Sequence, residues 1–188
     1  MQEVEFKAAL EGLAPEQLEA AREKLGFAPR VCLREVDSYY NAPDRDFRRT
    51  DEALRLRSCT QLPDGPSETL LTYKGPKLDQ VSSARKEYET SVGDGAVARQ
   101  LVEALGYTRV LEVDKTRREY TREGVTLCLD EVAGLGRFLE LEALVPDGGG
   151  REAAETQLLA LLAALGVGRE RLTRESYLEL LMAGQARS

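Results

Sequence analysis

Charged residues alternate with apolar residues along several short segments of the chain, and these charged residues are the ones best suited to do chemistry. In the first segment Glu3, Glu5 and Lys7 alternate with Val4 and Phe6. Because successive side chains of a β-strand point to opposite faces, the charges of one segment share a face. Further segments repeat this period of two, with the charged residues Arg55 and Arg57; Arg85, Glu87 and Glu89; Lys115, Arg117 and Glu119; Asp130; and Glu140 and Glu142.

A strand face made almost entirely of charges has two interpretations. A sheet with one solvated face would place the charges in water, and for any single strand this is the simpler explanation. Repetition across six strands favours a closed antiparallel barrel with charges in its lumen and helices covering its apolar outside. Buried charges must be paired or bind a ligand. Carboxylates bind Mg²⁺ or Mn²⁺ and basic groups bind phosphate oxygens, so the pattern predicts a site for a metal-bound triphosphate.

The residues that the chain lacks also limit its chemistry. Its 188 residues include no histidine and no tryptophan. Ser-His-Asp and Cys-His catalysis are therefore excluded, and a general base must be another side chain or a metal-bound hydroxide. Cys32, Cys59 and Cys128 are far apart and form no CxxC pair. This spacing argues against a zinc site and suits a reducing compartment, so we expect a cytoplasmic protein.

Composition and net charge narrow the class of protein. With 42% apolar and 31% charged residues, the chain is typical of a globular protein, and its length fits a single domain over residues 1–188. A net charge of −7 argues against binding to nucleic acid or to a membrane surface. The sequence has no apolar stretch of about 20 residues that could span a membrane.

The elements that must position these charges can be predicted from capping residues and periodicity. Pro15 begins a helix that ends before Gly26, and Asp94 caps a helix that ends before Gly106. Two more helices are predicted in EAAETQLLALLAAL, which ends before Gly166, and in RESYLELLMA, which Thr173 would cap. Eight strands are predicted at Glu3–Ala8, Val36–Tyr40, Leu54–Ser58, Thr69–Lys74, Ala84–Ser91, Leu111–Tyr120, Thr126–Val132 and Phe138–Val145.

The E-x-E-x-K pattern of Glu3, Glu5 and Lys7 resembles the signature of the CYTH superfamily of triphosphate tunnel enzymes. The resemblance continues in order through DSYYNAPDRDFRRTDEALRLR, LTYKGP, RKEYE, the K-x-R of Lys115 and Arg117, LDEVAGLGRFLELE and ESYLELL. LTYKGP, LDEVAGLG and ESYLELL are similar to the class IV adenylate cyclase (CyaB-like) branch. This resemblance implies an α+β fold: a closed antiparallel eight-stranded β-barrel, the triphosphate tunnel, with flanking helices.

The resemblance also implies a role for each charged residue on the patterned face. Lys7 and Arg117 would be catalytic, and Tyr177 would pack in a helix that closes the tunnel. Lys86 and Arg118 are one residue out of phase and should be solvated, although the register near Arg85 leaves either Arg85 or Lys86 as the basic residue of the site. The implied ligands of Mg²⁺ or Mn²⁺ are Glu3, Glu5, Asp130, Glu140 and Glu142. The implied phosphate-binding residues are Lys7, Arg55, Arg57, Lys74, Arg85, Lys115 and Arg117.

Three functions are compatible with this set of residues. The resemblance favours a metal-dependent adenylate cyclase that converts ATP to cyclic AMP and pyrophosphate. A triphosphatase acting on thiamine triphosphate or inorganic tripolyphosphate would use the same residues. A non-catalytic nucleotide or polyphosphate binder is the third possibility, and the carboxylates argue against it because anion binding alone needs no metal ligands. Relatives of the cyclase branch are often dimers, so a homodimer is expected.

Overall fold

In the described part of the chain, nine strands form one antiparallel sheet that curls into a half-barrel. The structure is a computed structural model and describes residues 2–77, 85–146 and 149–185. The strands are β1 (Gln2–Ala9), β2 (Ala28–Asn41), β3 (Ala53–Gln61), β4 (Ser67–Lys77), β5 (Arg85–Val92), β6 (Thr108–Arg122), β7 (Val125–Val132), β8 (Gly136–Val145) and β9 (Leu172–Thr173). Their order across the sheet is β5-β4-β3-β2-β6-β7-β8-β1-β9.

The sheet differs from the predicted closed eight-stranded barrel. A ninth strand, β9, pairs with β1 at Lys7–Thr173 and Ala8–Leu172. Within the described ranges, no backbone pairing joins β5 to β1 or to β9. The two ends of the sheet nevertheless approach each other, because β1 and β5 are in contact. The α+β class and the antiparallel arrangement are confirmed, whereas closure of the barrel is not.

All eight predicted strands are present, with different lengths. β2 begins at Ala28 instead of Val36, because it pairs with β6 from Ala28 onwards. The first half of β2 is mostly exposed, so the apolar alternation that marks a half-buried strand is weak there. Of the segment predicted as Ala84–Ser91, Ala84 lies outside the described residues and the remainder belongs to β5.

Among the residues that the structure describes, five α-helices lie against or beside the sheet: α1 (Pro15–Lys24), α2 (Phe47–Thr50), α3 (Gly95–Ala104), α4 (Arg151–Ala164) and α5 (Tyr177–Gln185). Pro15 is the first residue of α1, as predicted. Asp94 caps α3 by accepting hydrogen bonds from the backbone N–H groups of Ala96 and Val97 at 2.9 and 3.0 Å. The short helix α2 was not predicted, and it lies in a segment where turn residues dominate. No helix in the described part of the chain is long and apolar enough to span a membrane.

The C-terminal helix starts later than predicted, and its cap is a different residue. Thr173 pairs in β9 and accepts a hydrogen bond from the Glu175 backbone N–H at 3.1 Å. α5 is capped instead by Ser176, whose Oγ accepts from the Glu179 N–H at 3.2 Å, while Glu179 accepts from the Ser176 N–H at 2.6 Å. This reciprocal capping box satisfies two backbone donors that a helix start would otherwise leave unpaired.

The larger part of the apolar core lies on the convex side of the sheet. There α1 and α4 bury Leu18 and Leu158 against strand residues such as Leu127 and Leu141. α3 buries Val102 in a second cluster, against β3. The strand positions that alternate with these apolar residues therefore face the concave side, which is where the sequence places the charges.

Candidate functional site

The concave face of the sheet encloses a cavity of about 1150 Å³ that is lined largely by charged side chains. On β3, Arg55 and Arg57 line this cavity, whereas Leu54 and Leu56 pack on the convex side. The cavity is lined by all but one of the predicted site residues, namely Glu3, Glu5, Lys7, Arg55, Arg57, Lys74, Arg85, Lys115, Arg117, Glu140 and Glu142.

Three carboxylates meet where β1 and β8 lie side by side. Glu5 is opposite Glu142 in the register of these strands, and Lys7 is opposite Glu140. One oxygen from each of Glu5, Glu140 and Glu142 lies within 4.8 Å of the others. We call these three residues the carboxylate cluster. Because Mg²⁺ and Mn²⁺ prefer oxygen ligands, the donor set fits a divalent cation.

The pKa values of Glu3, Glu140 and Glu142 are shifted in different directions. Burial, together with the nearby Glu3 and Glu140, raises the pKa of Glu142 well above its usual range. Burial also raises the pKa of Glu3 to about 7, although Lys74 opposes the change. Burial disfavours the charged form of Glu140 as well, but Arg117 holds the pKa of Glu140 well below its usual range. A bound cation would neutralise part of the negative charge around Glu142.

Asp130 does not line the cavity and lies behind the basic residues instead. Its side chain is completely buried. Arg117 donates to it from Nε at 2.7 Å and from Nη2 at 2.6 Å, and Lys115 Nζ donates at 2.9 Å. Both carboxylate oxygens are therefore engaged by cations. Of the five predicted metal ligands, three form the carboxylate cluster, Glu3 lines the same cavity, and Asp130 holds two of the predicted phosphate-binding residues.

A second ion-pair network surrounds Arg57. Its Nε and Nη2 donate to the two oxygens of Asp37 at 2.6 and 2.7 Å, and its Nη1 donates to Glu35 at 3.1 Å. Glu35 also lies 3.2 Å from Nζ of Lys115. The bidentate pair fixes the plane of the guanidinium group, and Glu35 links the cations of β3 and β6.

Arg55 is buried and only loosely neutralised. Its Nη1 lies 3.5 Å from Asp37 and its Nη2 lies 3.7 Å from Glu89. Its buried Nε finds no hydrogen-bond acceptor in the part of the chain that the structure describes. A buried charged donor without an acceptor is costly, so Arg55 is well placed to bind an anion that enters the cavity.

The remaining basic residues lie on β4 and β5, at the edge of the sheet. Lys74 forms a hydrogen bond with Glu87. Arg85 donates to the Gly75 carbonyl at 3.4 Å and lines the cavity, whereas its neighbour Lys86 is exposed. This arrangement resolves the register in favour of Arg85. Arg118 on β6 is likewise exposed, as its phase in the strand predicts.

Tyr177, the first residue of α5, reaches into the ionic network. Its hydroxyl donates to Oδ2 of Asp130 at 2.9 Å, and its ring meets the edge of Phe138 at a centroid distance of 5.0 Å. Nζ of Lys7 lies 4.5 Å from the ring centroid and Nζ of Lys115 lies 5.1 Å from it. The residue packs as predicted, and it also contacts two cavity cations through the face of its ring.

Two buried carboxylates of the network, Glu35 and Asp37, were not assigned a role from the sequence. They occupy alternate positions of β2 and face the same cavity as Arg57. Their E-x-D spacing follows the same period of two as the other charged residues, so this pattern could have identified them as cavity residues. The predicted strand begins at Val36 and excludes Glu35, which leaves Asp37 as a single charge without an alternating partner.

The arrangement combines a carboxylate cluster with all seven of the predicted phosphate-binding residues on one concave face. Most of these basic residues are paired with carboxylates, which offsets part of the cost of burying charge. Phosphate oxygens can replace carboxylate oxygens as partners of arginine and lysine, because both are anionic acceptors. The cavity can therefore hold a polyanion together with a divalent cation.

Comparisons with known proteins agree with this geometry. The CYTH domain model matches residues 1–177. A protein of Methanocaldococcus jannaschii named as a candidate adenylate cyclase is 38% identical over 96% of this chain and 98% of its own length. The adenylate cyclase CyaB of Aeromonas hydrophila is 30% identical over 79% of this chain and 74% of its own length.

Similarity to a solved structure extends over almost the entire chain. The PH1819 protein of Pyrococcus horikoshii OT3 is 40% identical, with a TM-score of 0.87 over 97% of this chain and 99% of that one. A family model that covers most of the chain, two relatives of at least 30% identity and a shared fold lead to the same assignment. The chain therefore belongs to the CYTH family, and its relatives carry the adenylate cyclase and CyaB names that its motifs predicted.

Proposed function

We propose that the protein is a metal-dependent adenylate cyclase that binds ATP in the cavity and converts it to cyclic AMP and pyrophosphate. The observation that carries the proposal is the placement of the carboxylate cluster beside buried cations on one concave face. This combination matches the two halves of a metal-bound triphosphate. The names of the two relatives of at least 30% identity support cyclase chemistry in particular.

The triphosphate would lie on the basic residues of the concave face. Its oxygens would accept from Arg57 and Arg117 in exchange for part of their present carboxylate partners, and from the free Nε of Arg55. In this proposal Asp130 is a positioning residue that keeps Arg117 and Lys115 aimed at the phosphates. The other proposed phosphate-binding residues are Lys7, Lys74 and Arg85.

Cyclisation joins the ribose 3′-oxygen to the α-phosphorus and breaks the bond from that phosphorus to the bridging oxygen, which leaves with pyrophosphate. Lys7 and Arg117 would stabilise the charge on the reacting phosphate, and the hydroxyl proton would pass to solvent. Mg²⁺ or Mn²⁺, held by the carboxylate cluster with Glu3 nearby, would lower the pKa of the 3′-hydroxyl and offset charge on the leaving group. The chain has no histidine, so a metal-assisted route suits its composition.

A product screen tests this proposal. The protein is incubated with ATP, thiamine triphosphate or tripolyphosphate, each with Mg²⁺ or Mn²⁺, and cyclic AMP, pyrophosphate and free phosphate are separated. Cyclic AMP and pyrophosphate in equal amounts from ATP are expected. The Glu5→Gln variant removes one proposed metal ligand, whose carboxylate lies 3.5 Å from Nζ of Lys7, and should lose this turnover.

The other outcomes of the screen identify the competing functions. Release of phosphate without cyclic AMP would replace the cyclase with a triphosphatase that uses the same site. Tight binding of all three compounds without any product would indicate a non-catalytic binder. Full activity of the Glu5→Gln variant would contradict the assignment of the metal ligands.

A further inference from the structure

The short helix α2, between β2 and β3, presents a charged side chain to the cavity that the alternation of the strands does not reveal. Its residue Arg48 lines the cavity, whereas the next residue, Arg49, does not. Both residues are exposed to solvent. A residue that is exposed and also lines a cavity must lie at an opening, so Arg48 lies at a mouth of the cavity.

The interior cations nearest to this mouth belong to the proposed phosphate-binding set. Arg55 is the third residue of β3, and Lys74 is the register partner of Ala53, the first residue of β3. Asp51, which directly follows α2, lies 3.9 Å from Nη2 of Arg85. An anion that enters through this mouth would therefore pass Arg48 before it reaches these three cations.

The backbone of α2 is anchored, so Arg48 extends from a fixed position. The side chain of Phe47 is buried, and its ring centroid lies 6.3 Å from those of both Tyr73 and Tyr107. The backbone N–H of Phe47 donates to Oδ1 of Asn41 at 2.8 Å. Because this packing already orders the backbone of α2, only the Arg48 side chain would lose conformational freedom when it binds a ligand.

The acidic residues next to Arg48 are engaged by other groups. Glu52 accepts hydrogen bonds from Nε and Nη2 of Arg45, both at 2.9 Å, and Asp46 accepts from the backbone N–H of Arg48 at 3.1 Å. The guanidinium group of Arg48 forms no ion pair with any carboxylate that the structure describes, whereas the arginines of the cavity interior do. Its N–H donors therefore remain available to an anion.

We propose that Arg48 binds the outermost phosphate group of a triphosphate ligand at the mouth of the cavity. This inference rests on the proposed triphosphate site and adds to it a contact from a helix, outside the strands that carry the alternating charges. The guanidinium group would donate charge-assisted hydrogen bonds to the phosphate oxygens that remain nearest to solvent.

The neighbouring arginine supplies a matched control for the test. Arg48→Gln and Arg49→Gln remove the same charge from the same short helix, but only Arg48 lines the cavity. Binding of methylene-bridged tripolyphosphate, in which CH₂ replaces the bridging oxygens so that it is not turned over, is measured by titration calorimetry with Mg²⁺. At low salt Arg48→Gln should weaken binding about fivefold to tenfold and Arg49→Gln less than about twofold. The difference should shrink at high salt, because the Arg48 contact is exposed.

Each result bears on one of the two claims. Equal affinities of the two glutamine variants would overturn the role of Arg48 and leave the proposed triphosphate site standing. If the wild-type protein binds neither this analogue nor methylene-bridged ATP, the proposed function itself fails. Should Arg48→Gln melt at a lower temperature than Arg49→Gln, Arg48→Lys, which keeps the charge, replaces it in the comparison. Arg48→Lys should then bind more tightly than Arg48→Gln, and equal binding by these two variants would also overturn the role of Arg48.

Discussion

The two glutamates of the carboxylate cluster on β8 meet opposite electrostatic environments. Glu140 accepts a hydrogen bond from Arg117 and lies 3.3 Å from Nζ of Lys7, so it is held in its charged form. Glu142 lies near Glu3, Glu5 and Glu140, and burial raises its pKa well above the usual range although Arg117 Nη1, 3.6 Å away, opposes the change. The two residues alternate in the sequence and share a face, but their contributions to stability must differ in sign.

Glutamine substitutions separate these two contributions. Glu142→Gln should leave the metal-free protein as stable as the wild type or more stable, because glutamine resembles the protonated carboxyl and removes negative charge from a crowded site. Glu140→Gln should lower the free energy of unfolding by about 3 kcal/mol, because it removes one of the two buried anions beside each of Arg117 and Lys7 and leaves Asp130 and Glu5 as their remaining partners. Urea denaturation in the presence of a chelator measures both effects. Equal destabilisation by the two variants would contradict the opposite environments.

Asp37 provides a prediction for the pH dependence of stability. Its burial opposes ionisation, but Arg57 and then Arg55 hold the pKa of Asp37 well below the 3.8 of an unperturbed aspartate. The charged form therefore stabilises the fold above about pH 3.8, and this stabilisation is lost as the pH falls towards the lower pKa of the folded state. Asp37→Asn should cost about 3–5 kcal/mol near pH 7 and less near pH 3. A loss that is equal at both pH values, measured by urea denaturation, would rule out this ion pair as the cause.

For a single charged residue, the sequence predicts the direction of the side chain better than it predicts the residue with which the side chain pairs. The outward orientation of Lys86 and Arg118 follows from their phase in a strand, and both are exposed. The bidentate contact of Arg57 with Asp37 joins residues 20 positions apart. No local rule identifies that pair, because it depends on the register of β2 against β3.

Among the helices, α5 contacts the ionic residues of the cavity through its first residue. Its capping box fixes the start of the helix, and its first residue, Tyr177, contacts Asp130, Lys7 and Lys115. The helix therefore does more than cover the end of the half-barrel. It places one aromatic ring against two cavity lysines and one hydrogen bond on the aspartate that orients Arg117.

Substitutions at Tyr177 measure this effect. Tyr177→Phe keeps the ring and removes the hydrogen bond to Asp130, so tripolyphosphate affinity should fall about threefold to tenfold with a small change in melting temperature. Tyr177→Leu also removes the cation–π contacts and should weaken binding further. Leu181→Ala on the same helix is the control, because Leu181 packs against the apolar cluster of Val113, Val132 and Phe138 without lining the cavity. If binding falls in proportion to stability in all three variants, Tyr177 has a purely structural role.

Prediction of the elements succeeded where the signal was local. The alternation of apolar and charged residues located the strands. Pro15 marked the first residue of α1, and Asp94 marked the cap of α3. Thr173 was predicted as a cap and is instead part of β9, because its backbone pairs with Lys7, 166 positions earlier in the chain. A two-residue strand has no periodicity, so its existence depends on the neighbouring strand.

For the whole molecule, the half-barrel concentrates charges of both signs in one cavity although the net charge of the chain is −7. A triphosphate with its cation should bind the folded protein and not the unfolded chain. At a hundred times the dissociation constant this adds about 2.7 kcal/mol, or a rise in melting temperature of about 5–10 °C for a chain of this size. Tripolyphosphate with Mg²⁺ should produce this rise in differential scanning fluorimetry.

Removal of the metal provides the control for that experiment. A chelator should abolish most of the rise produced by tripolyphosphate, because the carboxylate cluster would then repel the polyanion. The Glu142→Gln variant should need more Mg²⁺ than the wild type to reach half of the rise. A rise of the same size with and without the chelator would mean that anion binding at the basic residues needs no cation.

The sequence by itself determined which charged residues share a strand face, because side-chain alternation is a local property of the backbone. Only the tertiary structure decided which charges meet. Curling of the sheet and the register of its strands bring Glu5, Glu140 and Glu142 into one cluster, place Asp130 behind Arg117, and leave β5 unpaired with β1 in the described residues. These contacts join distant segments, so their geometry depends on the packing of the complete sheet.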